Sequence, residues 1–466
     1  MTNWGYLHYT IVSVGTPSIS FFVALDTGSD LFWLPCNCYT ACTSTSQSTN
    51  YGVVVNLNYY SPNASSTSKN VPCNSNMCEQ QGQCLDPNSC PYQLIYVDQS
   101  STSGYLVEDV LHLKTDNTHQ EVVDAHITFG CSQTQTGGFL FGGPTDGLFG
   151  LGLDKLSVPS ILSSAGLTAN SFSMCFGSDG IGRINFGDKG SPDQGETPFI
   201  PNQLNPTYIV SVTQITVGRN LMNISFTAIF DSGTSATYLN DPAYTHLTKS
   251  FNAQVQDKLL PYDPNNGFEY CYDTSSTSSY STIPTLSLTM GSGSQFLVSN
   301  PIFGVMRYCF YSLLLFDPTS SYCLGIFKNT GSNDLNTIGQ NFMSNYLIVF
   351  DRERSVLGWK ESDCYGSKVS STTKTQPSST ATPPSATPSS STATPPPATP
   401  SSSTTIPPAT PTTTVVPGNV SPATTTTSGG YVFSSGAPTA SVQWSQCWIP
   451  INYRFLILFL VFFTII

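Results

Sequence analysis

Phe21-Phe-Val-Ala-Leu-Asp26-Thr27-Gly28-Ser29 and Phe226-Thr-Ala-Ile-Phe-Asp231-Ser232-Gly233-Thr234 are two copies of one phrase. Each is an apolar run of strand character that ends in Asp, a hydroxyl residue, Gly and a second hydroxyl residue. The copies stand about 205 residues apart, the length of one domain. A single such tetrapeptide arises by chance in roughly a tenth of chains this rich in Ser and Thr. Two copies, each closing an apolar strand, predict a duplicated lobe that delivers one carboxylate per copy.

The residue types suit acid–base chemistry. Gly28 and Gly233 let the chain turn sharply after the strand, which carries each carboxylate outward rather than into its own core. The hydroxyls of Ser29 and Thr234 are placed to donate to their carboxylates and fix their orientation. With the lobes face to face, Asp26 and Asp231 would share one proton and hold one water between them. Two like charges at that range do not both ionise, so one carboxylate is expected to titrate low and the other high. Two strand-end aspartates that merely cap turns are the plain structural alternative.

Composition narrows the classes. The chain has 466 residues, of which 9% are charged, with a formal net charge of −12. Sixteen Lys and Arg over that length form no patch for phosphates, so no nucleic-acid partner is expected. Acidity on its own fits a merely soluble surface equally well. No Gly-x-Ser-x-Gly elbow is present, and His8, His112, His119, His126 and His246 show no ligand spacing, so no metal and no cofactor is expected.

Fourteen cysteines without zinc-type C-x-x-C pairs point to disulfides and an oxidising compartment. Seven of them, Cys36, Cys38, Cys42, Cys73, Cys78, Cys84 and Cys90, crowd one loop-rich stretch. Cys131, Cys175, Cys271, Cys309, Cys323, Cys364 and Cys447 follow at wide intervals. Sequons at Asn63, Asn223 and Asn419 agree with the secretory route. The chain nevertheless opens Met-Thr-Asn-Trp-Gly-Tyr without a charged region followed by an apolar one, so Met1 is read as an internal or mis-assigned start with the signal peptide missing.

Residues 2–365 read as globular and mainly β, with runs at 7–14, 21–25, 92–96, 106–113, 181–186, 208–217, 286–290 and 346–350 separated by Gly, Pro, Asn and Ser. Residues 158–165 and 242–256 are the helical candidates, the second opened by Asp241 as N-cap and Pro242 in the first turn. Residues 366–430 are almost entirely Ser, Thr, Pro and Ala, the composition of a disordered and O-glycosylated stalk or an ordinary linker. The final 12 residues, 455–466, are apolar, too few to span a bilayer and with no basic residues after them. With a polar spacer and the small trio Ser435-Gly436-Ala437 upstream, they read as a glycosylphosphatidylinositol attachment signal at Ser435, with Ser434 or Ser441 as other sites and a buried C-terminal strand as the alternative.

Asp26-Thr-Gly-Ser-Asp-Leu-Phe-Trp33, Tyr96, Asp146-Gly-Leu-Phe-Gly-Leu-Gly152, Asp231-Ser-Gly-Thr-Ser and Thr337-Ile-Gly-Gln with Val349-Phe-Asp351 occur in the order found in pepsin-like aspartic proteases. Leu7-His-Tyr, Val14-Gly-Thr-Pro, the run Phe172 to Arg183 and the cysteine-rich insertion resemble the plant branch called aspartyl protease family protein 1-like, related to nepenthesins. The resemblance covers nearly all of residues 4–365. It implies a bilobal pepsin-like acid protease fold with a deep interlobe cleft, in which residues 1–198 and 199–365 are the catalytic lobes, followed by the stalk over 366–430 and the anchor signal over 431–466.

By the same resemblance Asp26 and Asp231 are the catalytic pair, supported by Thr27, Gly28, Ser29, Ser232, Gly233 and Thr234. Tyr96 is the tyrosine of a substrate flap, held by the indole N–H of Trp33. Val97 stands where many family flaps carry Gly, and Ser232 stands where animal enzymes usually have Thr. Residues 305–316 do not match the family pattern and read as retained non-coding sequence. The resemblance pairs Cys131 with Cys175 and Cys271 with Cys323; the crowded seven then need one more partner, which Cys364 can supply, and Cys309 is left alone once Cys447 departs with the anchor signal. The expected partners are peptide or protein substrates and, through the lipid anchor, a membrane or cell-wall face; the protein is expected to act as a monomer. A catalytically inactive binding or inhibitor protein at the cell wall is the runner-up.

Overall fold

The computed structural model describes residues 2–4, 7–36, 46–48, 54–114, 121–141, 146–201, 206–264, 267–273, 283–307, 319–330, 335–365 and 431–432. Cys38, Cys42, His119, Cys309, Asn419, Ser435, Cys447, most of residues 305–316 and all of 366–430 lie outside them. The fold is mainly β, in two sheet-rich lobes. Among the described residues the helices are few, and none is long and apolar enough to cross a membrane.

The duplication read from the sequence is a duplication of topology. In the first lobe the strand Ile19–Asp26 has Leu148–Gly150 as a parallel neighbour, which is antiparallel to Trp33–Pro35, itself parallel to Val122–Thr136. In the second lobe Phe226–Phe230 has Asn336–Ile338 as a parallel neighbour, which is antiparallel to Thr237–Leu239, itself parallel to Ile326–Lys328. A returning strand is thus inserted between each Asp-bearing strand and its continuation. That places the Asp at the middle of a sheet, where both sides are hydrogen-bonded and neither is free to shift.

Two glycines allow the insertion. A Cβ at Gly150 would lie 2.1 Å from the carbonyl oxygen of Asp30, and one at Gly339 would lie 2.1 Å from that of Ala236. These are the glycines of Gly150-Leu-Gly152 and Ile338-Gly-Gln340. Backbone passes over backbone at both places, and any side chain would force the strands apart.

A five-stranded sheet joins the halves in the order Gly182–Phe186, Ser171–Phe176, Tyr346–Asp351, Val356–Glu361 and Gly195–Pro198. Phe172 and Phe350 face each other across it, stacked at 4.7 Å, with the Tyr208 ring 4.6 Å from Phe350. Because this sheet takes strands from residues 171–198 of the first half and 346–361 of the second, its buried aromatic core ties the lobes together. Burying such rings is worth about 2–3 kcal/mol each.

The helices are shorter than the sequence pattern. Val158–Ser164 ends one residue early, and the second helix spans Ala243–Asn252 with Pro242, not Asp241, at its N-cap. Asp241 still serves the first turn, accepting the backbone N–H and hydroxyl of Thr245. The helix stops at Asn252 because Gln254 folds back, its amide donating to the carbonyls of Ser250 and Val217. Strand ends also move: the run at 106–113 is the middle of Ser101–Lys114, extended by its antiparallel partner Val122–Thr136.

Candidate active site

Asp26 and Asp231 occupy equivalent places at the ends of their strands. The Asp26 carbonyl accepts Leu151 N–H at 2.8 Å, and Asp231 N–H donates to the Ile338 carbonyl at 3.0 Å. Within each phrase, the glycine N–H donates to Oδ1 of the aspartate, Gly28 to Asp26 at 2.9 Å and Gly233 to Asp231 at 2.8 Å. The fourth-position hydroxyl donates to Oδ2, Ser29 to Asp26 and Thr234 to Asp231. Each carboxylate is thereby clamped through both oxygens by its own loop.

The second-position hydroxyls join the lobes. Ser232 Oγ donates to the Leu25 carbonyl at 2.9 Å, and Thr27 Oγ1 donates to the Phe230 carbonyl at 2.9 Å. Each hydroxyl then accepts the backbone N–H of the other residue, at 2.9 and 3.1 Å. Four reciprocal hydrogen bonds, all buried, fix one aspartate relative to the other. The hydroxyl at this position is what the geometry requires, and Ser meets it as well as Thr.

Gly233 has a different role from the turn-forming one that the sequence implies. A Cβ there would stand 2.2 Å from Asp26 Oδ1 and 3.2 Å from Asp231 Oδ1. The opposite lobe's carboxylate therefore occupies the space a side chain would need. Nor do the carboxylates end at the outer surface of their lobes, since Asp26 is 0% and Asp231 1% exposed.

The electrostatics of the pair follow from that burial. Desolvation pushes Asp26 well up from the ordinary carboxylate range, the neighbouring Asp231 charge pushes it further, and the Ser29 hydroxyl and Gly28 N–H pull it part of the way back. Asp231 is also raised by burial, against the expectation of one low and one high member. The Thr234 hydroxyl, Gly233 N–H, the Asp26 carboxyl and Gly28 N–H all favour its ionised form. The two carboxyls thus bear on each other unequally: Asp231 disfavours ionisation of Asp26, while Asp26 favours ionisation of Asp231.

The flap is the hairpin of Pro91–Tyr96 and Ser101–Lys114. Its turn is closed by Tyr96 N–H to the Ser100 carbonyl and by Gln99, which takes φ +66°. Trp33 Nε1–H donates to Tyr96 Oη at 2.8 Å, and both rings pack edge-on against Phe139, each at 5.1 Å. Burial raises the Tyr96 phenol well above its usual value and the charge of Asp26 adds to this, so Tyr96 stays protonated. Val97 is 43% exposed at the hairpin tip, a position without positive φ that does not demand glycine.

Phe139, Tyr92 and Asp30 belong to this neighbourhood and were not legible as site residues. Asp30 is half-buried beside the dyad loop and pushed up to about 7, chiefly by desolvation, with Asp154 N–H donating to it at 2.8 Å. Arg352 reaches across from the second half, donating to the Leu153 carbonyl and the Ser160 hydroxyl. Asp146, of the quoted Gly-rich turn, accepts the N–H groups of Phe22 and Asn58, both at 2.6 Å, and so pins the start of the catalytic strand.

The disulfides correct two expected pairings. Cys131 bonds Cys36, and Cys175 bonds Cys364. Cys131 lies opposite Leu34 where Val122–Thr136 runs parallel to Trp33–Pro35, which sets it beside Cys36, while Cys175 belongs to the joining sheet. Cys364 therefore serves the joining sheet and not the crowded stretch. There Cys73 bonds Cys84 and Cys78 bonds Cys90, whereas Cys271 and Cys323 face each other across two strands and are bonded. The sulfurs of Cys73, Cys78 and Cys84 lie within 4.8 Å of one another, but all three are in disulfides and are not metal ligands. The sequon asparagines Asn63 and Asn223 are exposed.

Two family models match most of this fold: a xylanase inhibitor N-terminal model over residues 8–188 and a xylanase inhibitor C-terminal model over residues 207–361. Aspartyl protease family protein 1 of Arabidopsis thaliana is 50% identical over 387 residues, covering 82% of this chain and 73% of the relative. Aspartic proteinase nepenthesin-2 of Nepenthes gracilis is 30% identical over 323 residues, covering 63% and 67%. Basic 7S globulin from soybean shares the fold at 21% identity, with a TM-score of 0.60 over 77% of this chain and 92% of that one. With the duplicated strand insertion, the clamped aspartates and these matches together, the chain belongs to the pepsin-like aspartic protease family, in the branch built from xylanase-inhibitor-type N- and C-terminal domains.

Proposed function

We propose that the protein is an aspartic endopeptidase that hydrolyses peptide bonds in acidic surroundings. The observation that carries this reading is the pair of buried carboxylates, each clamped by its own loop and locked to the other through Thr27 and Ser232, an arrangement suited to sharing one proton. One carboxylate takes a proton from a water held between them, and the resulting hydroxide attacks the amide carbon. The other, protonated, hydrogen-bonds the carbonyl oxygen as charge develops there. Collapse of the tetrahedral intermediate returns a proton to the leaving amine, with no covalent enzyme intermediate. Tyr96 on its hairpin closes over an extended peptide and excludes water.

The five disulfides among the described residues fit an oxidising compartment, and exposed Asn63 and Asn223 fit N-glycosylation. We extend the reading to a secreted glycoprotein held at the outer membrane face or cell wall by a lipid joined at Ser435. Phospholipase C specific for phosphatidylinositol should release the protein from membranes; retention would refute the anchor.

The full chain, expressed through a secretory pathway, is expected to cleave a denatured protein near pH 4. Asp26→Asn and Asp231→Asn should each lower cleavage by about 10³-fold or more. Undiminished cleavage in either variant would refute the mechanism. A second reading, an inactive binding or inhibitor protein, is favoured by the inhibitor descriptions of both family models. It predicts no cleavage by the unsubstituted chain and no effect of either substitution on binding.

A further inference from the structure

Tyr92 lies four residues before Tyr96 on the same strand and the same inward face, with Gln93 and Ile95 pointing out to solvent. Opposite it on the next strand is Gly104, and opposite Gly104 on the strand beyond is Ser132. The Tyr92 ring comes so near Gly130 of that third strand that a Cβ there would stand 2.6 Å from Cζ. Its hydroxyl lies 3.0 Å from Thr102 Oγ1, and Thr102 Oγ1 donates to Ser132 Oγ at 2.8 Å. Thr102 has a single hydroxyl proton, already given to Ser132, so Tyr92 donates to Thr102. The result is a directional chain across three strands, Tyr92 to Thr102 to Ser132, with all three side chains buried.

The far end of that chain is the strand that positions Trp33. Gly130 and Ser132 pair with Trp33 and Pro35, and the Ser132 carbonyl also accepts Cys36 N–H at 2.8 Å. The flap is therefore tied at two points to one rigid pair of strands, at its tip through Trp33 and Tyr96 and at its base through Tyr92. We infer that Tyr92 is a positioning residue whose hydroxyl chain sets the height and closure of the flap, and so the placement of Tyr96 over the dyad. A buried polar chain of this kind restricts a hairpin that otherwise has solvent on its outer face.

Tyr92→Phe in the full-length protein keeps the ring against Gly130 and removes only the donor. Amide hydrogen exchange at residues 95–101 is expected to quicken about tenfold, the equivalent of one buried hydrogen bond, while exchange in the joining-sheet strand 171–176 stays unchanged. The kinetic half rests on the peptidase reading: kcat/KM should fall about tenfold, mostly in kcat, because flap closure acts on the transition state. Thr102→Val should match this effect, and the double variant should add less than twofold because both act through one chain. Flap exchange that does not change, or a rise spread evenly over the molecule, would overturn the inference. If the unsubstituted protein cleaves nothing, the peptidase reading fails while the exchange comparison still decides the role of Tyr92.

Discussion

His8 gives a protein proposed to work in acid a built-in sensitivity to acid. The ring lies on the strand Leu7–Val14, wholly buried, edge-on to Phe176 at 4.9 Å, and neither nitrogen has a hydrogen-bond partner among the described residues. Burial lowers it from 6.5 to about 3. The unfolded chain takes up a proton on His8 below pH 6.5, whereas the folded protein refuses it until about pH 3. Stability from this group is therefore present above pH 6.5 and lost as pH falls through the interval, at about 1.4 kcal/mol per pH unit. Between pH 7 and pH 4 the loss comes to about 3 kcal/mol, a large share of a typical folding free energy. His8→Phe keeps an aromatic ring beside Phe176 and removes the titration. Urea unfolding at pH 7, 5.5 and 4, followed by far-ultraviolet circular dichroism, should show the variant no less stable at pH 7 and about 3 kcal/mol better preserved at pH 4. Parallel pH dependences for the two proteins would show that His8 is solvated or charged in the fold, and the argument would fail.

Two further outcomes follow from the site. Ser232→Ala strands the Leu25 carbonyl and the Thr27 N–H in a buried seam, so unfolding free energy should drop by about 2–4 kcal/mol; a change under about 0.5 kcal/mol in urea titrations would refute the locking role. Gly233→Ala drives a methyl into the space of Asp26 Oδ1, and cleavage should fall about 100-fold or more with circular dichroism unchanged. Near-normal kinetics would mean that the carboxylates do not approach as closely as described.

The parts of this architecture that the chain announces are the local ones. Two apolar strands ending in Asp-hydroxyl-Gly-hydroxyl mark their own positions, and the hydroxyl clamps of Ser29 and Thr234 need only three residues of chain. What stays hidden depends on which strands become neighbours. Cys131 bonds Cys36 because two strands nearly a hundred residues apart run parallel, a fact that cysteine spacing does not encode. Gly130 looks like an ordinary strand glycine until the Tyr92 ring is seen against it. The second helix stops short of its helical pattern because a side-chain amide, that of Gln254, caps it from outside. Gly233 carries the same lesson at the site itself, since its need for a bare backbone is set by a carboxylate on the other lobe.

The bond between Cys175 and Cys364 also decides how the molecule bears load. Residues 176–363 form a closed covalent loop whose two ends meet at that bond. Tension applied to the chain beyond Tyr365 enters at Cys364 and passes directly to Cys175, in the inner strand Ser171–Phe176 of the joining sheet. The second lobe lies on the slack branch of this path. A tethered molecule could then be dragged by its tail without stretching Asp231 away from Asp26, because the force bypasses the lobe that carries one half of the dyad.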